Sequence, residues 1–487
     1  MIAFAEAFPL ALVRPEAALT GGLLAILASD LSPGANARRL GPVLGIVSCA
    51  VAMWLACAAP VGNVGTMLAI DGVTTLARLL ILPLTAFLLL GGMGERRHGN
   101  DTGAWSASVV AVGLGALIAA AAANFVALWL GLELVALAGY TLVAFRGGDR
   151  RSAEAGMKFV LFGGAVSAVM LFGISHVYGA TGHLDFVGIG AAFASGAPVL
   201  AGFALLLAGA GIAYKLTLAP FHFFAPDVYQ GSPAIAGATV STLPKIAAAA
   251  ALVRILMTAV PPSLLAPVTL GGAIAVLAAV SMLLASFTAL VQRDAKRIVA
   301  FSGIGHGAAV VLAIGCLPSR EAAAAAGFYL LTYVGSNAGA LLCLSVLERA
   351  RGSTSLADLA GSWRSQPWVS SLLCLFLLSL AGVPPLAGFL GKWGVLQQAL
   401  AAGMAPGGSS AMVVAVLLFL LATAVSAWSY LLVVRAVVFA EPAAANERTQ
   451  RREPVALATR VVLGVSTVAT FGFGLWLDGL VALARML

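Results

Sequence analysis

Charge is what this sequence has least of. Asp, Glu, Lys and Arg together make up 9% of its 487 residues, and the mean hydropathy is +1.03. Soluble domains carry about a quarter of their residues charged, so a water-soluble globule of this size is excluded. Cysteine is scarce too: Cys49, Cys57, Cys316, Cys343 and Cys374 stand singly in apolar surroundings, with no CxxC spacing and no neighbouring His. They read as buried small hydrophobes rather than as metal or Fe–S ligands. The chain also lacks a Walker loop, a GxGxxG turn placed after a strand and a haem-ligand pair, so no cofactor is expected in it. The N-terminus carries Glu6 and no basic cluster ahead of the first apolar stretch, so no cleaved secretory signal is expected. Acidic residues are outnumbered, 19 to 27, giving a formal charge of +8. The basic residues recur at intervals instead of forming a patch, which excludes a nucleic-acid partner.

What the sequence does have is long apolar runs, nearly end to end. A bilayer-spanning helix needs about 20 mostly apolar residues. Fourteen such runs are expected, over 11–29, 40–60, 71–92, 105–123, 124–145, 152–178, 198–224, 233–260, 267–290, 295–317, 321–347, 368–402, 410–440 and 457–484. The fold class is therefore an all-α polytopic membrane protein embedded in the lipid bilayer. Basic residues follow the odd-numbered runs: Arg38 and Arg39, Arg96 and Arg97, Arg146, Arg150 and Arg151, Arg293, Lys296 and Arg297, Arg349, Arg351 and Arg364, and Arg448, Arg451 and Arg452. Arg320 is the exception among the other loops. By the positive-inside rule the odd exits face the cytoplasm and both termini face the opposite side.

The chain has 22 arginines but only five lysines, Lys158, Lys215, Lys245, Lys296 and Lys392, and all but Lys296 fall inside apolar runs. The two cations are not interchangeable. A desolvated ammonium gives up its proton readily, whereas a guanidinium stays charged. A path that loads and unloads protons needs the first kind, and a topology marker can use the second. Ionisable groups inside a bilayer cost a few kcal/mol each on insertion scales of about 3 kcal/mol, so they face a protein interior or a wet cavity. Glu133, in NFVALWLGLELVALAGY, reads as the only acidic residue so deeply placed. At about 4 Å and an effective dielectric near 20, a lysine beside it gains roughly 4 kcal/mol, enough to decide its protonation. Lys158, Lys215 and Lys245 are the candidate partners. A static ion pair would need only matched charges, and here buried cations are in excess.

Prolines add a second signal. Pro220, in YKLTLAPFHFFAPD, lacks an N–H and frees the backbone carbonyl of Leu216, beside Lys215 and near His222. In SLAGVPPLAGFLGKW, Pro384 and Pro385 do the same to Leu380 and Ala381, ahead of Lys392, and Pro244 directly precedes Lys245. A freed carbonyl at membrane depth is tolerated only where backbone lines a cavity or is buried in protein. Broken helices of this kind mark ion sites in transporters, in corresponding positions of two repeats. The two broken runs, seventh and twelfth, are five apart, and a five-helix repeat must be inverted. The expected organisation is helices 1–3 over 1–104, a first repeat over 105–262, a second over 263–440, and a loop with a last helix over 441–487. Lys245 and His306 would lie between the two broken helices, His306 either relaying protons or packing through hydrogen bonds.

YKLTLAPFHFFAPDVYQGSP followed by STLPK, QRDAKRIVAFSGIGH, and SLAGVPPLAGFLGKW closely resemble the antiporter-like membrane subunits of respiratory complex I, most of all the subunit N branch of bacterial NADH-quinone oxidoreductase. The resemblance implies fourteen helices in two inverted five-helix repeats. It implies proton translocation driven by quinone reduction elsewhere in the complex. NADH, FMN, Fe–S clusters and quinone would belong to partner subunits, and this chain would sit among other membrane subunits in the bacterial inner membrane, with both termini periplasmic. Glu133 resembles the family's helix-five glutamate, Lys215 its helix-seven lysine, Lys245 its helix-eight lysine and Lys392 its helix-twelve lysine. Lys158 and His222 also fall on its polar positions. Phe224 stands where the family commonly has Trp, and Phe301 and Gly303 stand where Tyr and Ser are usual. A subunit of a multisubunit cation/proton antiporter shares most of these motifs, and a passive membrane scaffold is the reading from another class.

Overall fold

A computed structural model of the protein describes residues 10–31, 40–94, 102–146, 148–196, 199–262, 270–441 and 454–487. Glu6 and the expected topology markers Arg38, Arg39, Arg96, Arg97, Arg448, Arg451 and Arg452 lie outside the described residues.

Polar residues between the apolar runs act as helix caps. Asp71 accepts from the Thr74 amide at 2.9 Å and opens Gly72–Met93. Asn124 opens Phe125–Val143, Asp149 opens Arg150–Thr181, Asp294 opens Ala295–Ile314 and Ser319 opens Arg320–Arg351, each accepting from an amide of the first turn. Gly182 and Gly352, at φ of 73° and 81°, end the two 32-residue helices in the left-handed conformation that favours glycine. Within lipid every backbone group must be satisfied inside the chain, which is why these runs become helices.

Helix covers each apolar run among the described residues, but the runs are not all single rods. Among the described residues ten helices are long and apolar enough to cross a membrane. Gly41–Cys57 and Pro367–Ala381 are shorter apolar helices, and Val199–Ala208 meets Ala210–Lys215 at a one-residue joint. The twelfth run divides into Pro367–Ala381 and Ala387–Met404, and the last into Leu457–Leu475 and Gly479–Met486. Ser410–Val434 ends in a π-turn over Arg435–Phe439. Pro244, by contrast, sits inside the uninterrupted helix Ala234–Thr258 and breaks nothing. One small sheet departs from the all-helical expectation. Strands β1 (Gly62–Val64) and β2 (Leu68–Ile70) pair antiparallel, Asn63 opposite Ala69, around a turn with Gly65 at φ +55°.

Arg320–Arg351 is the axis of the bundle. It packs against Ala234–Thr258, Ala295–Ile314, both halves of the broken twelfth run and both C-terminal helices. Small residues let backbones meet elsewhere. A Cβ on Gly131 would stand 2.6 Å from the Ala119 amide nitrogen, so Phe125–Val143 lies backbone to backbone on Thr102–Ala121. Buried arginines tie the N-terminal helices in. Arg254 donates to Asp71 at 2.7 Å, to Thr74 at 2.8 Å and to the carbonyls of Ala120 and Ala122. Arg78 forks onto Glu16.

Candidate proton-relay site

Glu133 lies mid-helix in Phe125–Val143, and Lys215 is the last residue of Ala210–Lys215. Both line one small cavity, together with Trp129, Tyr140, Ser167 and Tyr214. Ser167 donates to Glu133 Oε2 at 3.0 Å and accepts from Trp129 Nε1 at 3.0 Å. The carboxylate is thus held by a hydroxyl while sharing its cavity with the ammonium. Other carboxylates are enclosed too, but near the ends of their helices. Glu16 is buried, and Glu348 is paired at the end of the axial helix.

Beyond Lys215 the helix stops, and what happens to the freed carbonyl is explicit. Lys245, 1% exposed, donates to the Leu216 carbonyl at 3.1 Å and to Thr217 Oγ1 at 2.5 Å. The second break repeats the device. Lys392 donates to the Ala381 carbonyl at 2.9 Å, where Gly382 ends the helix at φ +91°. At each break, an ammonium caps the carbonyl that a proline leaves without an amide partner. Gly307 makes the first contact sterically feasible. A Cβ there would stand 2.2 Å from the Leu216 oxygen, so only glycine lets Ala295–Ile314 press on the break.

His306, one residue earlier, is buried between tyrosines. Its Nδ1 is 2.7 Å from the Tyr329 hydroxyl and its Nε2 is 3.3 Å from that of Tyr430, which in turn meets Ser302 Oγ at 2.5 Å. Ser302, His306, Tyr329, Lys392 and Tyr430 line a second small cavity, together with Ser426 and Ser429. The sequence brings His306 and Lys392 to attention but not Thr217, Ser302, Tyr329 or Tyr430. Their only mark is a hydroxyl in an otherwise apolar run.

Two lysines stand elsewhere than the sequence suggests. Lys158 does not reach Glu133; its ammonium bonds Asp227 and Glu154, each at 2.8 Å, and Asp227 also receives Arg297 at 2.6 Å. The reason is position along the helix, since Lys158 lies two turns from the start of Arg150–Thr181, level with the charges at that end. Lys296 is no surface marker. It is wholly buried and donates to Glu348 at 2.7 Å and to the Ser232 carbonyl at 3.2 Å, while Arg146 closes on the same carboxylate at 3.3 Å. His222 sits in the segment after the break, its ring tilted against that of Phe223 at 4.4 Å, and its Nδ1 is buried with no hydrogen-bond partner among the described residues. The five cysteines are all free. Cys49, Cys316 and Cys343 are buried as expected, but Cys57 is exposed and Cys374 half-buried. Among the described residues no cluster of His, Cys, Asp and Glu has the geometry to hold a metal ion.

Similarity to known proteins follows the same segment. Residues 122–418 match the family model described as NADH:quinone oxidoreductase/Mrp antiporter, transmembrane. NADH-quinone oxidoreductase subunit N of Parvibaculum lavamentivorans is 35% identical over 84% of this chain and 82% of its own length. Subunit N of an Anaeromyxobacter species is 33% identical over 95% and 93%. Among solved structures, a chain of respiratory complex I from Thermus thermophilus superposes with a TM-score of 0.76 at 30% identity, covering 96% of this chain and 98% of that one. A chain of the Mrp complex from a Dietzia species superposes at 0.81 with 20% identity, covering 98% and 95%, a likeness of fold. With a family match over more than half of its length and relatives that share a third of its residues nearly end to end, this membrane-spanning chain belongs to the NADH:quinone oxidoreductase/Mrp antiporter transmembrane family.

Proposed function

We propose that the chain is the proton-translocating membrane subunit N of a bacterial NADH:quinone oxidoreductase, a translocase subunit of the inner membrane working beside the other membrane subunits of the complex. Quinone reduction takes place in partner chains, which hold NADH, FMN, the Fe–S clusters and quinone, and this chain carries no redox centre. The observation that carries the reading is the pair of lysine ammoniums seated on proline-freed carbonyls, one in each half. A capped break held by a titratable amine is costly as mere structure and useful as a resting place for a proton.

In this reading Lys215 loads under the influence of Glu133 across their shared cavity, Lys245 receives the charge at the first break, and His306 with its two tyrosines passes it toward Lys392 at the second. Lys158, salt-bridged near the arginine-rich face, and His222, seven residues after Lys215 in the chain, form the outer end of the line. The two halves, 105–262 and 263–440, act as inverted repeats with both termini on the periplasmic face, a reading supported by the arginines that follow the odd-numbered runs. A change in partner subunits that alters how closely Glu133 and Lys215 approach alters the affinity of Lys215 for its proton. The cation/proton antiporter reading shares this machinery, but the relatives at 30% identity and above are named for the oxidoreductase.

The test is the number of protons moved per NADH oxidised in membrane vesicles. Lys215→Ala and Glu133→Ala are each expected to lower that ratio in a complex that still assembles, because one removes the carrier and the other its counter-charge. An unchanged ratio in assembled complex carrying either substitution contradicts the reading.

A further inference from the structure

The Lys245 ammonium has two partners, and they are chemically different. The Leu216 carbonyl, 3.1 Å away, can only accept a hydrogen bond. The Thr217 hydroxyl, 2.5 Å away, accepts from the ammonium and also donates to that same carbonyl at 2.6 Å. Thr217 reaches this place by an unusual backbone. Among the described residues it is the only non-glycine with positive φ, at 59°. A side chain branched at Cβ is crowded there and persists only when its surroundings hold it, whereas glycine would adopt the turn freely. The surroundings are tight: the Thr217 amide donates to Tyr214 at 3.0 Å, and Gly307 brings the His306 helix against Leu216 and to 3.1 Å, measured from a built Cβ, of the Lys245 nitrogen.

Resting on the reading of Lys245 as a proton carrier, we propose that Thr217 is the positioning residue that lets this lysine occupy both of its protonation states at the first helix break. A charged ammonium needs acceptors, and the carbonyl and hydroxyl oxygens supply two, leaving one N–H to face onward. A neutral amine has a lone pair and needs a donor. The Leu216 carbonyl cannot supply one, but the Thr217 O–H can turn from Leu216 to the amine. No proton leaves the threonine; its bond rotates while the carried proton passes from Nζ to the next group in line. A glycine would serve the turn and not this exchange, which accounts for a strained threonine where glycine fits.

The experiment uses the assembled complex in membrane vesicles, with protons moved per NADH oxidised as the readout and the amount of assembled complex measured in the same membranes. Thr217→Val keeps the shape and removes the hydroxyl; Thr217→Ser keeps the hydroxyl; Thr217→Gly relaxes the backbone and removes the hydroxyl; Lys245→Met is the reference. Thr217→Val and Thr217→Gly are expected to lose proton movement at least about tenfold, as misplaced relay groups do, alongside Lys245→Met. Thr217→Ser is expected to stay within about twofold of the unsubstituted complex. A merely structural threonine would make Thr217→Gly benign, so full proton movement in that variant, or in Thr217→Val, with Lys245→Met defective, overturns the proposal alone. Full proton movement in Lys245→Met overturns it together with the reading beneath it. If Thr217→Val fails to assemble, Thr217→Gly decides.

Discussion

Lys392→Met is expected to leave a complex that assembles and oxidises NADH while its proton movement through this chain falls about a hundredfold, the scale of losing a positioned acid–base group. Met matches lysine in length and buries without charge. What it removes is the donor to the Ala381 carbonyl, now 2.9 Å from Nζ. Leaving that carbonyl unsatisfied costs about 1–3 kcal/mol, which a bundle of this size absorbs. Loss of stability is therefore not the expected cause of the defect. Lys392→Arg separates charge from titration. It keeps a cation and a donor beside the cavity that His306 and Tyr430 share, but a guanidinium does not release its proton. Both variants are expected to be equally defective in protons moved per NADH. Normal movement with Arg at this position would mean that a fixed charge suffices and that no proton rests on residue 392.

How much of this was legible in the residues follows from how local each feature is. Helix caps are local, and Asp71, Asn124, Asp149, Asp294 and Ser319 mark helix starts within a residue or two. The freed carbonyls are local as well. Proline points four residues back, so Leu216 and Ala381 could be named before their partners were seen. Which amine would answer each carbonyl could not, because Lys245 lies 29 residues from Leu216 and on another helix. Long-range pairing also explains the errors. Lys296 sits in QRDAKR, a string that looks like solvated charge, and is buried only because Glu348, 52 residues on, swings in to meet it. Lys158 is one of three candidate partners for Glu133 in the sequence, but Asp227 arrives on the short helix Ala225–Gly231 that the broken seventh run turns into. Pro244 reads as a break in sequence and is carried inside a continuous helix, since neighbouring helices can satisfy what proline leaves open. Thr217 gave no sign at all, because its left-handed backbone is imposed by the turn that follows Lys215 and by the helix of Gly307.

Arg78 and Glu16 carry the other large expected effect, and it falls on stability alone. Arg78 is 1% exposed; its Nε donates to Glu16 Oε1 at 2.9 Å and its Nη2 to Oε2 at 2.8 Å, with a further bond from Nη2 to the Leu12 carbonyl at 2.8 Å. This fork joins Arg14–Leu31 to Gly72–Met93, and it escaped the sequence reading because arginines were weighed as topology markers. Removing one partner of a buried ion pair strands the other, at about 3–5 kcal/mol, whereas replacing both by apolar side chains is often neutral or stabilising. Arg78→Met and Glu16→Leu are therefore each expected to lower the temperature at which the detergent-solubilised complex dissociates, and the double variant to restore most of it. The residual deficit should be about 1 kcal/mol, the hydrogen bond to Leu12 that neither replacement supplies. Protons moved per NADH should stay unchanged in whatever assembles, since Arg78 and Glu16 line neither the cavity of Lys215 nor that of Lys392. Should the double variant prove no more stable than the singles, the fork is worth more as a pair than as its apolar replacement. Its charges would then be held by the bundle for the bond geometry they provide, beyond the avoidance of a stranded partner.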